Sequence, residues 1–441
     1  SNNTGGAKLA TLATGAYARI RQQFNLPIGR FEGVQEALAR MAGNTYAASA
    51  LSKMTAIAVD QGEKPSVLSA ILKYQLTEGN RQTVNDAMDV HGGKGIIQGP
   101  NNYLAHAYTA LPVSITVEGA NILTRSLIIF GQGAIRAHPW LLKEMEAAQA
   151  PPSTAARRDF DNALFSHAGY TISNLVRALM LGLTGSLATR KPVRGPTGNY
   201  FRQVTRMSAA FALVADAVLL TLGGKFKFKE TLSGRFADVL IHLYLCSAVL
   251  KRFEDDGRPD ADLPLVTWAI EDSLYKVQNS LQGILQNFPL PLLGGFLRIM
   301  VFPLGRPYAP PADNTSAAVA GLLLSENESR DRLTAGVYLS DADDAAGRVT
   351  NAFHLVLESA EAEQAIRNAL NESVSLDNYE QLVKRAVEAG VINEEQAQLV
   401  RLAQEACAKA VAVDDFPKSQ IEGFEKPAFR PAIHEKREKS A

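Results

Sequence analysis

Cysteine is scarce in this sequence, tryptophan equally so, and neither sign of charge prevails: two Cys, two Trp, 45 basic and 45 acidic residues in a chain of 441. Each shortage excludes something. Cys246 and Cys407 stand far apart, each inside an apolar helical pattern, which argues against a disulfide framework or cysteine-based zinc site and predicts buried thiols in a reducing compartment. The cancelled charge leaves no global positive field of the kind that drives sequence-independent nucleic-acid binding, so no nucleic-acid partner is expected. The longest nearly uncharged run, Ser208 to Gly224, is broken by Asp216 and falls short of a convincing membrane span. No transmembrane helix is expected. Period-two alternation is almost never sustained long enough to build a sheet, and no internal repeat is visible.

What is present is helical periodicity. With 46% hydrophobic and 20% charged residues the composition is that of a folded globular protein, and the length exceeds one ordinary core, so two domains are expected. Leu9, Leu12, Ala16, Ile20 and Phe24 recur at helical spacing and predict a helix over 7–24. A second helix is expected over 34–59 and a third over 66–90, stopped by Gly92 and Gly93. After a turn-rich loop come a short helix near Tyr103, Pro112, an extended 113–117 and a fourth helix over 121–130, a set that reads as a bundle. Near Ala148 the chain becomes Ala-, Pro- and Ser-rich, with Ser153 placed to cap the next helix. The expected organisation is therefore all-α: a four-helix-bundle domain over 1–147, a second, mostly helical extension over 148–416 and an extended or disordered tail over 417–441.

Three segments carry chemistry. The first is Tyr17-Ala18-Arg19-Ile20-Arg21-Gln22-Gln23-Phe24-Asn25-Leu26-Pro27-Ile28 with Gln35 downstream; the second is Asp89-Val90-His91-Gly92-Gly93-Lys94-Gly95; the third is Ile115-Thr116-Val117-Glu118-Gly119-Ala120-Asn121-Ile122-Leu123-Thr124-Arg125. In this order and spacing they resemble the C-terminal helical domain of the flavin-dependent acyl-CoA dehydrogenases, with its Arg-x-x-Phe-Gly, Gly-Gly-x-Gly and Tyr-Glu-Gly-Thr segments. Residues 116–139 and 263–289 are further similar to the large bacterial beta-oxidation members of that family, which carry a long C-terminal extension. The family has an N-terminal helical domain and a small β-domain ahead of this one, and neither is in this sequence.

The resemblance implies a fold and a mechanism. Oxidising an acyl-CoA thioester at its α and β carbons needs a base on one side of the bond and an electron sink on the other. Glu118 matches the family's base and FAD is the implied cofactor. A carboxylate of ordinary pKa about 4.3 is a weak base for this task, and burial beside apolar substrate brings it nearer the operating pH. Gly119 allows the sharp turn beside the substrate, where the backbone N–H of Glu118 would hold the thioester carbonyl. Arg21 matches the arginine that grips the FAD pyrophosphate, a task suited to a planar, permanently charged donor. Phe24 and Gln35 match further flavin contacts, and Gly92 and Gly93 the backbone that approaches the adenosine. In the family these contacts reach a partner subunit's flavin, so a homo-oligomer is expected, with an electron-transferring flavoprotein as acceptor. Val117 and Ala120 depart from the family's Tyr and Thr, Gln23 from its Thr or Ser, and Asp89 from its Gln. Arg125 and His91 read as structural residues, and no metal is expected.

Other readings are weaker. Lys94 is followed by Gly95 rather than Ser or Thr, which excludes a Walker loop, and the run ending in Gly131-Gln132-Gly133 lacks both the third glycine and the second βαβ unit of a dinucleotide fold. A non-catalytic helical assembly or membrane-docking module is the alternative, since Leu292 to Leu304 is apolar enough to lie on a bilayer, although core packing accounts for it more simply. The expected location is the cytoplasm, with inner-membrane contact through such a surface, and this chain alone is expected to be inactive.

Overall fold

The computed structural model describes residues 2–134, 138–339 and 344–417, so the tail beyond Pro417 lies outside the described residues. Helix α1 (Asn2–Ile20) stops four residues short of the expected end. The chain instead forms a small antiparallel hairpin, β1 (Gln22–Gln23) paired with β2 (Leu26–Pro27), turning through Phe24 and Asn25 at φ 51° and 62°. Two successive left-handed residues make the turn whose twist suits a two-residue hairpin. Phe24 therefore leaves the helix stripe and stands 87% exposed at the hairpin tip.

Helices α2 (Glu32–Asp60) and α3 (Ser66–His91) follow, and Gly92 ends α3 at φ 55°, a conformation glycine adopts at least cost. After the short α4 (Gly93–Ile96), helix α5 (Ala105–Thr116) runs straight through Pro112. The expected extended segment 113–117 is helical up to Thr116: Pro112 forfeits only the one backbone bond to the Tyr108 carbonyl, and the helix continues past it. The fourth expected helix exists as α6 (Asn121–Leu123) widening into a π-helix over Thr124–Gln132.

The extension comprises α7 (Leu141–Gln149), α8 (Thr154–Leu183), α9 (Gly198–Leu222), α10 (Glu230–Asp255), α11 (Leu263–Gln286), α12 (Pro291–Val301), α13 (Asp313–Leu323), α14 (Glu328–Thr334), α15 (Ala345–Glu358), α16 (Ala360–Leu370), α17 (Tyr379–Glu388) and α18 (Glu394–Val411). Ser153 caps α8 as its position suggested, accepting the Ala156 N–H at 3.0 Å. Gly390 at φ 67° separates α17 from α18.

One core unites the two halves. Leu38, Met41 and Leu51 of α2 share a buried cluster with Phe236 and Val249 of α10, Trp268 and Ile270 of α11 and Val319 of α13. Gly43 shows how close the approach is: a Cβ there would lie 2.0 Å from Trp268. A second cluster packs Ala16, Tyr17 and Ile20 of α1 against Phe353 of α15 and Ala403 and Cys407 of α18. Both cysteines are free and buried, and burial pushes each thiol up to about 12. Helix α9 with its continuation to Phe228 is long and apolar enough to cross a membrane by length and composition. It buries Met207, Leu213, Val214 and Val218 in the core, together with Arg206 and Asp216, which suits a core helix. Helix α12 divides its apolar residues: Leu297 and Val301 are buried, whereas Leu292 is 93% and Ile299 60% exposed.

Candidate active site and nucleotide pocket

Glu118 sits in the turn between α5 and α6, ahead of the helix rather than on it. Val117 is extended, and Glu118 and Gly119 both lie in the left-handed region at φ 56° and 91°. A non-glycine residue there is strained by roughly 1–2 kcal/mol and persists only where its surroundings enforce it. The enforcement is visible. Lys73 of α3 donates from Nζ to the Gly119 carbonyl at 2.8 Å and to Asn121 Oδ1 at 2.5 Å. Asn121, 5% exposed, donates in turn from Nδ2 to Thr77 Oγ1 and Glu78 Oε1, both at 2.8 Å. Burial draws the Lys73 ammonium below its ordinary pKa, and the carboxylates of Glu118 and Glu78 oppose that shift.

Held in this way, the turn presents Glu118 exposed, and its backbone N–H makes no hydrogen bond among the described residues. The apolar cover expected around the carboxylate is not supplied by the described residues of this chain. Arg125, farther along, is a tie: its guanidinium makes a two-pronged contact with Asp238 of α10 at 2.6 and 2.5 Å over Gly234, where a Cβ would lie 2.7 Å from Nη1.

Arg21, Gly92 and Gly93 come together. They line one pocket of about 570 Å³ with Tyr17, Gln23, Asp89 and His91, and Val411 to Val413 form another part of its wall. Arg21 has no carboxylate partner among the described residues, and a Cβ on either glycine would project into open space. An unpaired guanidinium facing bare backbone suits a phosphate-bearing ligand. His91 underpins the pocket as a packed residue. Its ring stacks on Tyr17 with centroids 4.1 Å apart, Nδ1 faces the Ala87 carbonyl at 2.7 Å, and Nε2 accepts from the Tyr103 hydroxyl. Burial lowers its pKa to about 3, so the ring is neutral.

Gln35 lies elsewhere, in a groove of about 520 Å³ with Glu32, Glu36, Arg40, Trp268 and Asp272, and Phe24 stands at the hairpin tip. The structure thus groups three of the expected residues in one pocket and distributes Glu118, Gln35 and Phe24 over separate surfaces. Sequence reasoning missed Lys73 and Asn121, whose partnership across 48 positions leaves no local signal.

It also missed a buried group with metal-ligand spacing, His138, His167 and Asp216. Its hydrogen bonds decide its character. His138 Nδ1 accepts the Trp140 and Leu141 N–H groups, which commits the proton to Nε2, directed at Asp216 2.8 Å away. That ring has no lone pair left for a metal. Glu144 holds His167 Nδ1 and Thr171 donates to Asp216, both at 2.8 Å, so the group knits α7, α8 and α9 together.

Both parts of the chain are similar to known proteins. Residues 1–130 match the model of the acyl-CoA dehydrogenase C-terminal domain, and residues 135–416 that of the acyl-CoA dehydrogenase C-terminal region of bacterial type. The chain is 27% identical over 264 residues to the human mitochondrial very long-chain specific acyl-CoA dehydrogenase, covering 58% of this chain and 38% of that enzyme. It is 42% identical over 82 residues to the 3-(aryl)acrylate reductase of Clostridium sporogenes, covering 19% of this chain and 22% of the reductase. In fold it is similar to an acyl-CoA dehydrogenase of Bacillus anthracis solved with FAD, at TM-score 0.57 and 19% identity over 73% of this chain and 53% of that one. The chain therefore spans well under two thirds of these relatives. Two adjoining family matches covering nearly all of an all-α chain place it in the acyl-CoA dehydrogenase family, whose members bind FAD.

Proposed function

We propose that the chain is the C-terminal part of a flavin-dependent acyl-CoA dehydrogenase of fatty-acid beta-oxidation, with Glu118 as the base. The observation that carries this reading is the turn at Glu118 and Gly119, strained at Glu118 and clamped by Lys73 and Asn121. Strain enforced at an exposed carboxylate is the mark of a positioned group. Glu118 takes the α proton of the acyl-CoA, and its free backbone N–H is available to the thioester oxygen as negative charge develops there. Bound FAD supplies the acceptor for the hydride leaving the β carbon, and the product is the trans-2-enoyl-CoA. Electrons pass on to an electron-transferring flavoprotein. Arg21 would hold the FAD pyrophosphate, and the backbone of Gly92 and Gly93 would approach the adenosine. Gln35 and Phe24, set apart from that pocket, serve a flavin shared across a homo-oligomer.

The apolar cover missing around Glu118 is assigned to the N-terminal domains of the whole enzyme. Peripheral contact of a cytoplasmic enzyme with the inner membrane is supported by Phe165, Ile172 and Val176 on α8 and by Leu292 and Ile299 on the adjoining α12, all exposed. Arg190, Lys191, Arg194 and Arg298 are exposed as well, and basic side chains favour anionic lipid. The test of the central reading is Glu118→Gln in the full-length protein, which should keep its flavin and lose nearly all acyl-CoA oxidation. Normal turnover in that variant refutes the assignment.

A further inference from the structure

The pocket of Arg21, Gly92 and Gly93 is closed on one side by a segment more than 300 residues away in sequence. Helix α18 is seated on α1 and α15 through Ala403, Cys407 and Ala410. Past its end the backbone becomes extended at Ala412, with ψ 137°, and runs along the glycine-rich loop. Three contacts fasten it there. Lys94, 6% exposed, donates from Nζ to the Ala412 carbonyl at 2.8 Å and to the Asn101 carbonyl at 3.2 Å. The Asp414 carboxylate accepts the Asn101 N–H at 2.9 and 3.2 Å. Gly99 leaves room for that carboxylate and nothing more, since a Cβ would lie 2.4 Å from Asp414 Cγ. Burial draws the Lys94 ammonium below its ordinary pKa while Asp414 opposes the shift, so the carboxylate also helps to keep the buried charge.

Asn102 completes the arrangement from within the loop, donating to the carbonyls of Lys94, Gly95 and Ile97 at 3.0, 2.9 and 2.8 Å. A loop rich in glycine has much conformational freedom to lose when a ligand orders it, and a clamp that orders it beforehand removes that cost from binding.

We propose that the end of the C-terminal extension is part of the nucleotide site: Ala412 to Asp414 form a strap that holds the Gly92–Gly95 loop in its binding conformation, with Asp414 and Lys94 as positioning residues. The ligand class is an adenosine diphosphate, free or as the end of a dinucleotide. This rests on the reading of the pocket given above, and the experiment separates the two. In the full-length protein stripped of its flavin, ADP affinity is measured by calorimetry for the wild type and for Asp414→Ala, Asp414→Asn and Gly99→Ala, with thermal unfolding followed in parallel. Amide hydrogen exchange is recorded with and without ADP.

The expected result is a loss of ADP affinity of roughly tenfold or more in Asp414→Ala and in Gly99→Ala, which displaces the strap from the opposite side. Asp414→Asn, which still accepts the Asn101 N–H, should recover most of the affinity. In the wild type, ADP should slow exchange at both Gly92–Lys94 and Val413–Asp414. Equal ADP affinity in all four proteins, or protection of the loop without the strap, overturns the strap while leaving the pocket assignment intact. A wild-type protein that does not bind ADP overturns the pocket assignment and the strap with it.

Discussion

Replacing Asn121 by alanine tests whether the turn at Glu118 is held or merely happens to lie where it does. The side chain is almost fully buried and makes three hydrogen bonds, one to an ammonium and one to a carboxylate. A neutral bond contributes about 1 kcal/mol and a charged one about 1.5–3. The simple sum would be about 4–7 kcal/mol, but Lys73 keeps the Gly119 carbonyl, and Thr77 keeps its bonds to the Lys73 and Tyr74 carbonyls. A net loss of about 2–4 kcal/mol in unfolding free energy is expected, measured by denaturant titration. Since the strain at Glu118 is then less well enforced, kcat for acyl-CoA in the full-length enzyme should fall at least tenfold. The primary isotope effect with α-deuterated substrate should rise, because proton removal becomes slower.

Asn121→Asp sharpens the test. It places a carboxylate where Nδ2 now lies 2.8 Å from Glu78 Oε1. Two carboxylates that close raise the pKa of one, so the folded state holds more protons than the unfolded one and stability falls as pH rises through the carboxylate range. The aspartate variant should lose more stability at pH 7 than at pH 5. If Asn121→Ala unfolds within 0.5 kcal/mol of wild type and turns over normally, a threshold set by typical surface changes, the clamp argument is refuted.

Arg21→Ala should lower the flavin content of purified full-length protein with an unfolding midpoint close to wild type; full retention of flavin would make Arg21 a surface residue. Gly43→Ala forces a Cβ to within 2.0 Å of Trp268 and should cost about 3 kcal/mol or more by thermal unfolding, against a small gain if the two halves were packed independently. His91 has a folded pKa of about 3 against an ordinary 6.5, so the unfolded state binds more protons between those values and stability falls as pH drops from about 6.5 toward 3. His91→Phe should flatten that part of the stability–pH curve, measured by urea titrations across the range, and an unchanged slope would contradict the buried neutral ring.

Much of this was legible in the sequence because it is local. The helical stripes, the Ser153 cap and the glycine stop after α3 are set by residues within a few positions of one another, and the segments around Arg21, Gly92 and Glu118 are short enough to read directly. Phe24 misled because its spacing continued the α1 stripe, while the competing signal was a two-residue turn of Phe and Asn at positive φ. Pro112 suggested a break, yet α5 loses one backbone bond there and continues to Thr116. The Lys73–Asn121 clamp and the Asp414 strap join residues 48 and more than 300 positions apart, and no periodicity records such pairings. The Ala-, Pro- and Ser-rich stretch near Ala148 read as a division between cores, yet α2 buries its apolar face against α10, α11 and α13, well beyond that stretch.

That shared core has a consequence during synthesis. Trp268, which covers Gly43, emerges from the ribosome 225 residues later, and at about 5–20 residues per second the inner face of α2 waits roughly ten to fifty seconds for its cover. Through that interval Leu38, Met41 and Leu51 are without the partners on α11 and α13 that later complete their cluster. A nascent chain with three unsheltered apolar turns is a substrate for holding chaperones and a seed for association with its neighbours on the same messenger. Pausing translation before Trp268 should prolong that state, and slow decoding beyond Val319, where α13 closes the same face, should not.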